Sequence, residues 1–238
     1  MISNNKNFKV LTILIPAFNE SATIESIIKK VREVDVGDLV KEIIVIDNNS
    51  TDDTRAKASA FSDAKVIEEH IQGKGAALKT GFIKATGDIV IIQDADLEYD
   101  PREYHLLIKP ILEGRADVVF GSRFMSHAPH RVLLFWHMVG NRLLTLFSNI
   151  LTDLNLTDME TGYKVFSKPV YDSFKNKLLS KKFGIEPELT ARVSHKKWRI
   201  YEVGISYSGR TYAEGKKIGW KDGLAAFWHI IRFNIFLR

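Results

Sequence analysis

The feature that most constrains this chain is a repeated alternation, in which unbroken runs of Val, Ile and Leu are each followed by a segment of helical periodicity. "KVLTILIP" precedes "ESATIESIIKKVREV", and "EIIVID" precedes "STDDTRAKASAF". "AKVIEE" precedes "GKGAALKTGFIKAT", "DIVIIQ" precedes "PREYHLLIKPILEG", and a fifth run, "ADVVFGS", closes the series. Strands that are apolar on both sides must be covered on both sides, and a helix between successive strands returns the chain in the same direction each time. The pattern predicts an α/β fold: a Rossmann-like, mostly parallel sheet with helices on both faces. Ser50 or Thr51 is the expected N-cap of the second helix, and Pro101 the first residue of the fourth.

In such sheets ligands bind beyond the carboxyl ends of the strands. The residues to read are therefore Pro16 to Glu20, Asp47 to Asp53, Asp94 to Glu98 and Gly121 to Arg123. The most unusual of these ends is "IVIIQDADLEYDP", where an apolar run leads into Asp94, Asp96, Glu98 and Asp100. Carboxylates this close repel one another unless a proton or a cation sits between them. Hard oxygen ligands suit Mg²⁺ or Mn²⁺. A lone D-x-D reads more simply as a polar loop with Asp96 capping the helix behind it, but its place among other acidic strand ends favours a cation seat. Asp47 and the following Asn48 to Ser50 fit a nucleoside contact or an Asx-turn. Glu20 fits a ribose contact or a charge at a helix N-terminus. "QGKGAALKTG" lacks the G-x-x-x-x-G-K-[ST] phosphate loop. Its glycines and Lys74 fit a weaker anion contact or an ordinary helix entry.

Composition narrows the functional classes. The 238 residues include no cysteine, which excludes disulfides, zinc–thiolate sites and a cysteine nucleophile. The polar start "MISNNKNF" leads directly into a strand-like run, so no signal peptide is expected. No uncharged apolar stretch reaches the roughly 18 residues that span a bilayer. Arg142 separates the two longest, Val132 to Asn141 and Leu143 to Thr152. The expectation is a protein that is soluble or lies on a membrane surface. Residues 1–174 carry 20 Lys/Arg against 24 Asp/Glu, whereas residues 175–238 carry 14 against 5. Such a basic end suits phosphates or anionic lipid, or is a solvated surface rich in lysine. Its basic and aromatic residues form no recognised nucleic-acid motif, so no nucleic-acid partner is expected.

After residue 125 the alternation stops. "VLLFWHMVGNRLLTLFSNILT" is apolar over most of a helical circumference, with His137, Asn141, Thr145, Ser148, Asn149 and Thr152 in one narrow stripe. "WRIYEVGI" reads as a further strand. The closing "FWHIIRFNIFLR" mixes aromatics with Arg232 and Arg238, the composition of an interfacial helix. Both amphipathic segments read as membrane-surface helices, as a packed helical hairpin, or as a homo-oligomer interface.

The ordered set "PAFNE", "IDNNSTDDT", "GKGAALKTGF", "DADLEYDP", "GSRF", "TGYKVF" and "GRTYAEGKKIGWKDG" resembles the family-2 glycosyltransferases with a GT-A fold. Within that family the chain is most similar to the polyprenyl- and dolichol-phosphate sugar transferases. The resemblance implies a GT-A-like domain over residues 1–223, with a nucleotide-sugar half at about 9–125 and an acceptor half at about 126–223. Residues 224–238 would form an apolar, basic C-terminal helix at a membrane interface. The implied reaction passes a hexose from a GDP- or UDP-sugar to a polyprenyl phosphate, with inversion, on the cytoplasmic face of a membrane.

Carried over residue by residue, the resemblance assigns Pro16, Phe18, Glu20, Asp47, Asn49, Lys74, Asp94 and Ala95 to the nucleotide sugar. It assigns Asp94, Asp96 and Glu98 to Mg²⁺ or Mn²⁺. Glu98 stands where the family often has Gln, and Asp47-Asn48-Asn49 departs from the family's usual acidic pair. Arg123, Arg131, Arg210, Lys216 and Lys217 are the cations offered to an acceptor phosphate. Asp94, Asp96, Arg123, Asp158 and Glu186 make up the expected catalytic set. An already ionised phosphate needs positioning more than proton removal. A hydroxyl acceptor would need a base, for which Asp158 and Glu186 are the candidates. Glu186 and Glu188 read equally as first-turn helix charges around Pro187. The rival readings are a transferase of the same fold that extends a glycan hydroxyl, and a nucleotide-sugar-binding protein without turnover.

Overall fold

The computed structural model describes residues 8–125, 131–132, 135–210 and 220–237. The expected alternation is present. Strands β1 (Val10–Ala17), β2 (Val40–Asp47), β3 (Ala64–Glu68), β4 (Ile89–Ile92) and β5 (Val118–Ser122) are separated by helices α1 (Ile24–Glu33), α2 (Thr54–Ser59), α3 (Lys74–Lys84) and α4 (Tyr104–Leu112). There follow α5 (Phe135–Thr152), β6 (Lys164–Ser167), α6 (Lys168–Phe174), α7 (Ile185–Ser194), β7 (Ile200–Gly204) and α8 (Trp220–Ile231), which runs into a π-helical turn, Arg232–Phe236. The seven strands lie in the order β3-β2-β1-β4-β6-β5-β7.

Every pairing is parallel except those of β6, which runs antiparallel between β4 and β5. This strand is the four residues KVFS, which begin within "TGYKVF" and end at Ser167. The run is too short for periodicity to reveal, and it sits where the sequence suggests only a motif.

Successive side chains of β1 enter opposite cores, as the two-residue period of a strand requires. Leu11, Ile13 and Ile15 pack with Ile27 and Ile28 of α1 and Leu107 and Ile108 of α4. Leu14 packs on the other face with Leu78 and Phe82 of α3, Phe174 of α6 and Leu189 of α7. Edge-to-face contacts of Phe82 with Phe166 and Phe174, at 5.7 and 5.2 Å between centroids, lock β6 and α6 onto α3.

Two helix starts illustrate how the strand ends are built. Asp100 accepts from the N–H of Arg102 at 3.0 Å, and Pro101 opens a 3₁₀ turn that runs into α4. In contrast, α2 begins at Thr54, later than the expected cap at Ser50 or Thr51. Those two residues are engaged elsewhere: Ser50 Oγ accepts from the N–H of Asn19, and the N–H of Thr51 donates to Asn19 Oδ1. The N–H of Thr54 is satisfied by Asp52 instead.

Helix α5 carries the polar stripe seen in the sequence, but the stripe faces inward. Thr145 and Ser148 are buried. Thr145 Oγ1 accepts from the N–H of Met159, and Asn149 bonds both backbone groups of Leu156. Ala226 and Ile230 of α8 close a small third core against Leu144 and Met159. Among the described residues no helix is long and apolar enough to cross a membrane.

Candidate active site

The site lies beyond the carboxyl ends of β1, β2 and β4, with contributions from the second half of the chain. Ala17 at the end of β1 is in register with Asp47 at the end of β2. The loops that follow are stitched together, with Asn48 N–H donating to Ala17 O at 2.8 Å and Glu20 N–H to Thr54 Oγ1 at 2.8 Å. Asn19 and Asn49 take left-handed backbone conformations, at φ 51° and 62°, which asparagine tolerates. Leu97 does so at φ 65° and pays in strain for the turn that brings Glu98 back over the strand ends.

Asp47 is buried, and its Oδ1 is shielded with no hydrogen-bond partner. Such an atom is costly unless a donor reaches it. Asn48, by contrast, is fully employed: its amide donates to the carbonyls of Glu69 and Ile71, and its oxygen accepts from the N–H of Gly73. Pro16 and Ala95 contribute backbone at this end, and Phe18 is exposed beside them.

Two cations meet the acidic end of β4. Lys74 Nζ lies 2.8 Å from Asp94 Oδ1 and 3.0 Å from Glu186 Oε1. Burial alone would lower the Lys74 ammonium, but these two carboxylates outweigh it and hold it well above its usual range. Arg210 lies 3.0 Å from Asp96 Oδ2, 3.5 Å from Glu98 Oε1 and 3.6 Å from Glu20 Oε2. Five carboxylates thus share two cations. Burial, followed by repulsion from Asp94 and Glu98, pushes Asp96 up to about 7 against the pull of Arg210. The donor set and its excess of negative charge fit a divalent cation, although the described residues do not converge into a formed metal cluster.

Glu98 commits both of its oxygens to the segment after β7. Oε2 accepts from Tyr207 Oη–H at 2.7 Å, and Oε1 accepts from Arg210 N–H at 2.8 Å. It ties the segment after β7 to the acidic strand end. Gly162 packs so closely below that an added Cβ would sit 2.3 Å from Asp94 Oδ2.

The glycines of "GKG" serve backbone packing. A Cβ on Gly73 or Gly75 would lie 2.2 Å from the carbonyl oxygens of Lys181 and Ser180, and Ala76 N–H donates to Lys181 O. Carbonyl oxygens line this approach, which leaves Lys74 as the cationic group that the segment delivers.

Arg123 and Asp158 form a separate pair at the end of β5. Asp158 is completely buried and accepts a two-point fork from Arg123, with Nε at 2.6 Å and Nη2 at 2.7 Å. The Arg123 guanidinium also lies 5.2 Å from the ring centroid of Tyr207, so Tyr207 links this pair to Glu98. Arg131 donates from its backbone to Tyr207 O and from its side chain to Gly209 O. Lys216 and Lys217 lie outside the described residues.

Three residues that sequence reasoning passed over belong here: Tyr207, Lys164 and Glu160. Lys164, on β6, is buried and donates to the carbonyls of Met159 and Thr161, which shapes the loop that presents Asp158. Burial, with the charge of Glu186, pushes Glu160 up to about 8, and Lys164 and Arg123 pull the other way. The "TGYKVF" run was the available signal, but an internal lysine in an apolar strand does not announce which atoms it meets. Glu186 is buried, and its Oε2 has no partner.

With this geometry in place, comparison with known proteins is direct. The sequence pattern of "Glycosyl transferase family 2" matches residues 12–174. A low-salt glycan biosynthesis hexosyltransferase of Haloferax volcanii is 29% identical over 226 residues, covering 94% of this chain and 53% of that protein. An uncharacterized glycosyltransferase of Mycobacterium bovis is 26% identical over 242 residues, covering 93% of this chain and 97% of its own. Glucosyl-3-phosphoglycerate synthase of Mycobacterium tuberculosis, solved with Mn²⁺, UDP and glucosyl-3-phosphoglycerate, shares the fold with a TM-score of 0.74. It is 23% identical, over 94% of this chain and 78% of that one. The match covers most of the chain and includes the acidic strand ends that form the site: the protein belongs to glycosyl transferase family 2 and is a glycosyltransferase.

Proposed function

We propose that the protein transfers a hexose from a nucleotide sugar to a polyprenyl phosphate at a membrane surface. The observation that carries the acceptor is the outward face of α5 and α8. Trp136 is 77% exposed and Trp228 55%, with Phe135, Leu143, Leu146, Ile150 and Leu224 exposed around them. From Phe135 to Thr152 the only charged residue is Arg142, and from Gly223 to Arg238 the only ones are Arg232 and Arg238. Lys221 and Asp222 fall in the first turn of α8, and beyond them an apolar segment that carries arginine and no carboxylate suits an anionic lipid surface.

In this reading Pro16, Phe18, Glu20, Asp47 and Asn49 hold the nucleoside, the shielded Asp47 Oδ1 accepting from it. Asp94, Asp96 and Glu98 would hold Mg²⁺ or Mn²⁺, which supplies charge neutralisation for the departing diphosphate. The solved relative with Mn²⁺ and UDP supports that assignment by analogy. A phosphate oxygen of the acceptor attacks the anomeric carbon as the bond from that carbon to the diphosphate oxygen breaks on the opposite side, so the configuration inverts. Arg131, Lys216 and Lys217 are assigned to the acceptor phosphate, whereas Arg210, paired with Glu20, Asp96 and Glu98, is assigned to the donor side, where two phosphate oxygens can accept arginine's paired donors. Asp158 is assigned to holding Arg123 in place, because both of its oxygens are already bonded. Lys74 is assigned to the donor side through Asp94.

A second reading rests on Glu186. Its unpartnered Oε2, on a carboxylate that shares Lys74 with Asp94, makes it the candidate base for a hydroxyl acceptor. The test is incubation with Mn²⁺ or Mg²⁺, a panel of UDP- and GDP-sugars, and either polyprenyl phosphate or soluble hydroxyl acceptors, with products read by mass spectrometry. A glycosylated lipid phosphate is expected. Transfer to saccharide or hydroxy-acid acceptors alone would overturn the lipid reading in favour of the second.

A further inference from the structure

The segment after β7 lies across the acidic strand end as a strap. Ser206 N–H donates to Glu103 Oε1 at 2.8 Å and Ser208 N–H to Glu98 O at 3.0 Å. The Tyr207 hydroxyl and the Arg210 N–H take the two oxygens of Glu98. The backbone of Arg210 is therefore fixed by contacts that do not involve its guanidinium.

That guanidinium spans two strand ends, with Glu20 after β1 on one side and Asp96 and Glu98 after β4 on the other. Its attachment differs in kind from that of Arg123. Arg123 makes a two-point fork to one carboxylate at 2.6 and 2.7 Å. Arg210 makes one hydrogen bond to Asp96, at 3.0 Å, and longer ion pairs to the other two, and its Nε is shielded with no hydrogen-bond partner. An arginine divided among three carboxylates and fully bonded to none is held by charge rather than by geometry. A more concentrated charge can replace it, and an anion that accepts two of its N–H groups at once can satisfy it better.

We propose that Arg210 is the resident counter-ion of the donor site, exchanged for the divalent cation. When cation and nucleoside diphosphate enter, the guanidinium leaves Asp96 and Glu20 and turns to the diphosphate oxygens, while the strap stays anchored through Glu98. Cation and diphosphate then bind interdependently, because the cation releases the arginine that the diphosphate uses. The inference rests on the reading of the acidic strand end as a cation seat.

The test is Mn²⁺ binding, followed by the paramagnetic resonance signal of free Mn²⁺, to the wild-type protein and to Arg210→Gln, with and without UDP. Circular dichroism confirms that both are folded. Without UDP the variant is expected to bind Mn²⁺ roughly tenfold tighter, because the competing cation is gone. With UDP that advantage should vanish or reverse. Equal or weaker Mn²⁺ binding by the variant without UDP would overturn the exchange. A crystal structure with Mn²⁺ and UDP gives an independent arm: the Arg210–Asp96 contact should be open, and an intact pair beside a bound ion would overturn the proposal. Absence of Mn²⁺ binding to both proteins would overturn the cation-seat reading, and the exchange with it.

Discussion

At the scale of single residues, the site works by rationing charge among side chains that face different ways. Glu160 shows the consequence on a single carboxyl. Its carboxyl, pushed up to about 8 by burial and by Glu186, keeps its proton through neutral pH in the folded state. A folded value above the ordinary 4.5 means that the folded chain binds the extra proton. This contribution to stability is therefore complete below about pH 4.5 and is lost as the pH rises through about 8. Glu160→Gln cannot ionise and should escape that loss. Its Tm relative to wild type should rise by roughly 2–4 °C between pH 5 and pH 9. A difference that stays flat across that range, measured by calorimetry, would remove Glu160 from the list of strained groups. Asp94, Asp96 and Glu98 were legible in the sequence because alternation at a strand end is a pattern. Glu160 and Lys164 were not, since such residues are recognised by what surrounds them: Lys164 bonds the carbonyls of Met159 and Thr161, and Glu160 lies between those two under the charges of Glu186, Lys164 and Arg123.

At the scale of elements, the parallel strands were readable because residues buried on both faces admit no polar interruption. The missing strand β6 and the orientation of α5 were not readable, because each depends on a neighbour distant in sequence. A polar stripe on an apolar helix ordinarily marks the solvent side. Here Thr145 and Asn149 turn inward to bond the backbone at Met159 and Leu156, and the apolar face is left outside. If that face meets lipid, Trp136→Ser with Trp228→Ser should reduce binding to vesicles containing anionic phospholipid by roughly tenfold or more. Turnover of a short, water-soluble isoprenyl phosphate should change little. Unchanged co-sedimentation with vesicles would leave the face to another purpose. The "GKG" entry to α3 makes a separate prediction. A methyl group at Gly75 would meet the Ser180 carbonyl at 2.2 Å. Gly75→Ala should therefore cost about 1–3 kcal/mol in urea unfolding, whereas Gly140→Ala, where a Cβ meets nothing within 4 Å, should not destabilise.

At the scale of the whole molecule, Glu20, Asp94, Asp96 and Glu98 after β1 and β4 and Glu186 of α7 share Lys74 and Arg210 beyond the carboxyl ends of the strands. Such a site is stable only to the degree that its charge is compensated, so the fold without ligand carries a cost that binding relieves. Asp96→Asn removes one negative charge while preserving shape, and it should raise the Tm of the ligand-free protein by roughly 2–4 °C. The same change should weaken the response to ligand. UDP near 100 times its dissociation constant, with Mn²⁺ saturating in both arms, should stabilise the wild type by about 3 kcal/mol, which corresponds to a rise of roughly 6–12 °C. The variant should gain less than half of that and lose nearly all sugar transfer. Differential scanning fluorimetry with and without ligands measures both effects on one plate. A ligand-free Asp96→Asn protein that melts below wild type would show that Arg210 and Lys74 already balance the site, and that its carboxylates support the fold rather than strain it.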